Sequence, residues 1–102
     1  MNPKFKPAEN MLHFRYVDLT PRDRAELRSE YAKAQGNLCP FCKCDLDGPP
    51  SEAVRTTKLV LSMFPPRFLK HPVHLQHDHR TGMTEAAIHA RCNGVLWQEF
   101  GR

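Results

Sequence analysis

Two hydrophobic periodicities divide the chain. From Thr20 to Asn37 the apolar positions Ala25, Leu27, Tyr31, Ala32 and Ala34 recur at roughly helical spacing, and Leu27 and Tyr31, four apart, fall on the core face. The ends of this helix are marked as well. Thr20 suits the N-cap, Pro21 the first helical position, and Asp23 takes the capping-box place usually held by Glu. Gly36 and Asn37 close it. Further on the period drops to two: Val73, Leu75 and His77 alternate with His74, Gln76 and Asp78, the pattern of a strand. Arg80-Thr81-Gly82 reads as a turn, and Met83 to Ile88 as the returning strand of a hairpin. His89 to Phe100 reads as a final helix, with Val95, Leu96 and Phe100 inward, Trp97 flanking, and His89 and Asn93 sharing a face. This succession predicts an α+β domain over residues 19–102, preceded by an N-terminal arm over residues 1–18.

The remaining segments are less regular. The arm mixes Pro3, Pro7 and lysines with Phe5, Phe14, Tyr16 and Val17, and is expected to be extended or partly ordered, with Phe14 and Tyr16 available to pack on the body, weighed against a solvated basic tail. Residues 45–54 form a loop. Residues 56–64 fit a strand or a short helix, and Leu59, Val60, Leu61, Met63 and Phe64 are expected mostly in the core until Pro65-Pro66 breaks the element.

Composition narrows the class. At 102 residues and 40% apolar, one domain is expected, with little core to spare. A mean hydropathy of −0.58 and nine prolines point to long loops, so a metal staple would contribute directly to folding. Net charge is +4 with a pI near 9.1, which favours an anionic partner such as DNA. Arg67, Lys70 and His71 beside Phe68 form one candidate DNA-contact loop, and Arg22, Arg24, Arg28 and Lys33 a candidate phosphate-facing rim on the first helix, each weighed against an ordinary solvated surface. MNPKFKPAEN lacks the apolar run of a secretory leader, and no stretch is long enough to span a membrane. The expectation is a cytoplasmic protein, without membrane association.

In a reducing compartment the cysteines acquire a specific meaning. Cys39 and Cys42 form a CxxC, and His89 and Cys92 an HxxC. Two short-spaced pairs of thiolate and imidazole ligands are what a closed, tetrahedral zinc site takes. Two disulfides, or a redox CxxC, are the alternatives; the redox motif usually opens a helix in a βαβ unit, and no such pattern follows Cys42. Cys44 is a spare thiol that competes with His89 for the fourth position.

The space between the pairs holds His74, His77 and His79, and Asn93 follows Cys92 directly. Phosphodiester hydrolysis needs an activated water, stabilised charge at phosphorus and help for the leaving oxygen. A neutral histidine can act as general base near pH 7, and a divalent ion can stabilise both non-bridging and leaving oxygens. A hard ion such as Mg²⁺ needs only one or two protein oxygens. His77 as base, Asn93 Oδ1 as ion ligand and His79 near the phosphate or ion satisfy that scheme.

These residues carry a resemblance. CPFC, then HLQHDHRTG, then HxxCN looks like the HNH nucleases, and most like the phage recombination endonuclease VII family, over roughly residues 38–95. The resemblance implies a small ββα-metal (His-Me finger) nuclease fold with a structural zinc knuckle and an N-terminal helix. It also implies a Mg²⁺- or Mn²⁺-dependent DNA endonuclease, acting in the host cell cytoplasm if phage-encoded. Cys39, Cys42 and Cys92 match the family's zinc ligands, and His89 stands where a cysteine is usual. His77 matches the general base, Asn93 the HNH asparagine, and Asp78 and His79 the end of the family's DHDH string.

Three departures qualify what is carried over. Gln76 occupies the place of the metal-binding aspartate, so it is expected to lend a weaker, neutral oxygen to the divalent ion. Glu85-Ala86-Ala87 replaces the usual Arg-Gly segment. Nine residues follow Asn93, where the family has a long dimerising extension, so a monomer that nicks or cuts DNA is expected rather than a junction resolvase. The rival is an HNH-derived zinc module that binds DNA or protein without cleaving it. A purely structural zinc protein, with the histidines as further ligands, is a second.

Overall fold

The first helix begins where its capping residues place it. In the computed structural model, which describes residues 13–101, α1 runs Pro21–Ala34 behind a complete capping box. The Asp23 amide donates to Thr20 Oγ1 at 3.1 Å, and the Thr20 amide donates to Asp23 Oδ2 at 3.3 Å. Gly36 and Asn37, both at positive φ, turn the chain out of the helix. Leu27 and Tyr31 are buried, as their spacing requires. The other elements are a short α2 (Glu52–Thr56) capped by Ser51, β1 (Val73–His77), β2 (Thr84–His89) and α3 (Ala90–Phe100). Among the described residues the result is a small α+β fold with one antiparallel pair, three α-helices and two 3-10 turns.

β1 and β2 pair in register from Val73 opposite His89 to Gln76 opposite Ala86. His77 then pairs with Thr84, leaving Glu85 as the extra residue of a bulge. The connecting turn is held by Asp78. Its Oδ1 accepts from the amides of Arg80 and Thr81, at 2.7 and 3.4 Å, and Gly82 completes the turn at φ 75°. Burial works against a charge on Asp78, but the Arg80 amide and guanidinium and the Thr81 amide hold its carboxyl below the usual range.

Both faces of β2 are covered, since Ala86, Ala87, Ile88 and His89 are consecutively buried. α1 and α3 each pack against both strands, and α2 packs on α3. Gln35, just past α1, clamps the outer edge of β2 like a short extra strand. Its Nε2 donates to the Ala87 carbonyl at 2.8 Å, and its Oε1 accepts from the Ala87 amide at 2.9 Å.

Residues 13–16 are likewise tied to the hairpin. The Tyr16 amide donates to the Gly82 carbonyl and the Thr84 amide to the Phe14 carbonyl, both at 2.8 Å. This end of the expected arm therefore pairs along the body; residues 1–12, including Pro3, Phe5 and Pro7, lie outside the described residues.

The 56–64 segment differs from expectation. It supplies the last residue of α2, an irregular stretch and a 3-10 turn at Leu61–Met63, with no strand. Leu59 alone is buried, while Val60, Leu61 and Met63 are exposed. Leu59 goes inward because Gly94 of α3 opens a slot for it: a Cβ there would meet Leu59 Cδ1 at 3.1 Å and Phe68 Cε2 at 3.4 Å. Among the described residues, no helix is long and apolar enough to cross a membrane.

Candidate metal centre and adjoining cleft

The two pairs of expected zinc ligands come from different parts of the fold. Cys39 and Cys42 lie on a tight knuckle between α1 and α2. The Cys39 amide donates to the Cys44 carbonyl at 2.9 Å, the Lys43 amide to the Cys39 carbonyl at 2.8 Å, and Lys43 takes φ 69° to close the turn. His89 and Cys92 lie at the β2–α3 junction, where His89 is both the last strand residue and the N-cap of α3. The ligand atoms of Cys39, Cys42, His89 and Cys92 all lie within 4.8 Å of one another.

His89 is prepared for coordination through one nitrogen. Its Nε2 donates to the carbonyls of Asp45 and Gly48, at 2.9 and 3.0 Å, which leaves the Nδ1 lone pair facing the thiols. Fixing the ring through its outer nitrogen is how a metal-bound imidazole is usually held. Nδ1 lies 3.4 Å from Cys42 Sγ and 3.7 Å from Cys92 Sγ. A zinc tetrahedron with bonds of about 2.3 Å to sulfur and about 2.05 Å to nitrogen has N–S edges of about 3.6 Å. The two distances bracket that value, so the group suits a tetrahedral ion such as zinc.

The thiols are also electrostatically prepared. A hydrogen bond from Cys92, together with the amides of Cys42, His89 and Phe41, outweighs burial and lowers Cys39 to about 4. Cys92 moves the other way, because it donates to Cys39 and is buried among the sulfurs. Between the two, Cys39 is the thiolate and Cys92 the hydrogen-bond donor. Cys44 contributes its carbonyl to the knuckle, while its sulfur is not part of the cluster.

The expectation that His89 and Asn93 share a helical face does not hold, because His89 precedes α3 with extended backbone at ψ 145°. Its ring turns to the cysteines, whereas Asn93 opens onto a cleft of about 690 Å³. The same cleft is lined by His74, His77 and His79. Asn93 Nδ2 donates to His74 Nδ1 at 3.1 Å, so the amide oxygen is left to accept. His74 is steadied by the edge-on ring of Phe68, 4.8 Å between centroids. Burial lowers the pKa of His74, against a smaller opposing effect of the Phe68 carbonyl.

His77 is fixed by partners with no signature in the sequence. Tyr16 stacks on its ring at 4.2 Å, and Arg24 covers Tyr16 with its guanidinium 3.9 Å from the ring centroid while donating to the Tyr16 carbonyl. His79 lies 4.8 Å from His77 and 4.6 Å from Trp97, centroid to centroid. Burial, then His79, then Arg24 lower the His77 pKa, against Asp78 and Glu85. A neutral imidazole with an available lone pair at pH 7 follows. The sequence marks Tyr16 as an aromatic able to pack on the body and Arg24 as a basic residue of the first helix, but does not specify that they meet at His77.

Gln76 is not brought to this cleft. It is buried, and its Nε2 donates to Glu85 Oε1 at 2.9 Å and to the His77 carbonyl at 3.0 Å. Its Oε1 is buried without a hydrogen-bond partner. The expected role of Gln76 beside Asn93 therefore does not fit its placement, because Gln76 is not among the residues lining the cleft and its amide is engaged by Glu85 and the His77 carbonyl. Of the basic groups, Arg24, Arg28, Arg67 and His71 line the cleft. Arg22 and Lys33 instead sit in exposed pairs with Glu26 and Glu30. No carboxylate is among the residues lining the cleft.

No family model, curated protein or solved structure matches this chain.

Proposed function

We propose that this chain is a metal-dependent DNA endonuclease of the HNH, ββα-metal kind, built on the β1–β2–α3 run and a structural zinc at Cys39, Cys42, His89 and Cys92. The observation that carries the reading is the convergence of a neutral His77 and the Asn93 amide oxygen on one cleft whose charged walls are arginines. In this reading Arg24, Arg28 and Arg67 draw in the phosphodiester, and Asn93, held by His74, presents Oδ1 to a divalent ion bound with the substrate. Such an ion would stabilise charge on the phosphoryl and leaving oxygens. His77 takes a proton from water, whose oxygen forms the new bond to phosphorus as the bond to the leaving oxygen breaks. His79 contacts the phosphate. A single amide oxygen without a carboxylate is a weak offer to Mg²⁺, so substrate phosphate supplies much of the binding, and Mn²⁺, which tolerates mixed ligands better, is expected to serve at lower concentration.

Nicking of supercoiled plasmid by zinc-loaded protein, with Mg²⁺ or Mn²⁺, tests this directly. Wild type should convert plasmid to open circle, and His77→Ala should lose about a hundredfold or more; Asn93→Ala should fall with it. Equal cleavage by all three would refute the assignment.

A second reading is favoured by Gln76. With that position turned into contact with Glu85, the site lacks the family's metal-binding side chain, as expected of a zinc module that binds DNA or protein without cutting. Plasmid that is shifted on a gel yet uncut with either ion would select it.

A further inference from the structure

The cleft displays more than catalysis and charge require. Beside the histidines it exposes Trp97 at 37% and Met63 at 50% of their surface, and Phe64 and Phe68 stack together at 4.7 Å along its wall. Holding the outer phosphates of a duplex calls for cations and hydrogen-bond donors. Large apolar side chains left open to water are costly, and where they cluster they mark a binding surface. Bases in a duplex have their faces covered by neighbouring bases, so flat rings in a narrow cleft find nothing to stack on. Unpaired nucleotides offer both a free base face and a flexible backbone. Aromatic platforms alternating with arginines are how proteins take up such strands.

The rings are also in sequence. Trp97 touches His79, His79 touches His77, and Arg24 and Arg28 lie on the same wall system. We infer that the cleft receives an unpaired stretch of nucleic acid, with a base stacked on Trp97 and the adjoining phosphate directed at His77, His79 and Asn93. The inference rests on reading the cleft as a phosphodiester site, and it narrows the substrate from DNA in general to single-stranded or locally unwound segments. The cleft's volume of about 690 Å³ lies in the range that takes a small ligand, adequate for a nucleotide.

Trp97 is the only tryptophan in the chain, so its fluorescence reports on this cleft directly. The zinc-loaded full chain is titrated with a short oligothymidylate, an oligouridylate and a blunt duplex, with Ca²⁺ replacing Mg²⁺ to suppress cleavage. Saturable quenching by the thymidylate is expected, with at least about tenfold weaker binding of the duplex, the worth of one stacked base. Quenching by the uridylate as well would place the recognition in the unpaired base, and quenching by thymidylate alone would place it in unpaired DNA; either supports the inference. Trp97→Ala, an exposed position whose loss should leave zinc content and helical circular dichroism unchanged, should bind fluorescein-labelled oligothymidylate about tenfold more weakly by anisotropy. Equal affinity for duplex and single strand, absence of quenching, or unchanged binding by Trp97→Ala would each overturn the inference. Cleavage is a separate readout. Quenching without hydrolysis in Mg²⁺ or Mn²⁺ keeps the inference and removes the nuclease reading, whereas duplex cutting without strand preference does the reverse.

Discussion

Replacing single cysteines tests the metal centre most sharply, because the chain has four and the cluster uses three. Cys39, Cys42 and Cys92 converge with His89, while the Cys44 sulfur lies outside. Structural zinc in small domains is worth about 10–16 kcal/mol at pH 7, whereas a whole domain of this size is stable by about 5–15 kcal/mol. Among the described residues the regular sheet has only two strands, and the cluster joins the knuckle after α1 to the start of α3. Loss of the ion should therefore remove most of the net stability. Even a loss of about 3 kcal/mol lowers the melting temperature by roughly 12–24 °C in a chain near this length. Cys92→Ala and Cys39→Ala should release zinc and melt broadly or not at all. Cys44→Ala should keep one zinc per chain and melt within a few degrees of wild type, about the effect of an ordinary surface change. Zinc content by chromophoric chelator and thermal circular dichroism under reducing conditions provide both numbers. The reasoning fails if Cys44→Ala loses the metal while Cys92→Ala retains it. It also fails if chelated wild type melts cooperatively at the temperature of the zinc-loaded protein.

Four further outcomes follow from particular contacts. His77 lies below its ordinary value of 6.5 because of burial, His79 and Arg24, with Asp78 and Glu85 opposing, so the acid limb of cleavage should fall below pH 6.5 and Arg24→Gln should move it upward; a limb above 6.5 in wild type would contradict the geometry. His77 and His74 are both lowered, so the folded state binds fewer protons there than the unfolded one; the stability they contribute is present above pH 6.5 and is lost as pH falls through the lowered folded values, measurable by urea unfolding across that window. Tyr31→Phe removes a buried hydroxyl bonded to Thr84 Oγ1 at 3.0 Å, and should cost about 1–2 kcal/mol in denaturant midpoints, an unchanged midpoint meaning that water replaces the bond. Gly82→Ala meets nothing within 4 Å but must keep φ 75°, so about 1–2 kcal/mol of backbone cost is expected in the same assay.

Local chemistry was legible where a residue's role depends on its near neighbours. Thr20, Pro21 and Asp23 specify the start of α1 because a cap is completed within one turn. The strand–turn–strand reading of residues 73–88 rests on alternation and on a glycine that must take positive φ. The grouping of Cys39, Cys42, His89 and Cys92, which could hold a metal such as zinc, was legible as well, since thiolate and imidazole in two short-spaced pairs have few other uses. Tertiary structure alone decided the rest. Which apolar residue of the 56–64 segment goes inward depends on a slot at Gly94 of α3, which takes Leu59 and leaves Val60, Leu61 and Met63 exposed. That His89 turns to the cysteines while Asn93 turns to the cleft depends on the strand ending at His89, which a helical-face argument cannot anticipate. Gln76 is withdrawn from the cleft by pairing with Glu85 across a bulge in the partner strand. The support of His77 comes from Tyr16 and Arg24, which reach it only because residues 13–16 pair with the far end of the hairpin. Periodicity and spacing report which way a side chain faces within its own element; which groups then meet is set by how separate elements pack, and those contacts leave no mark on adjacent residues.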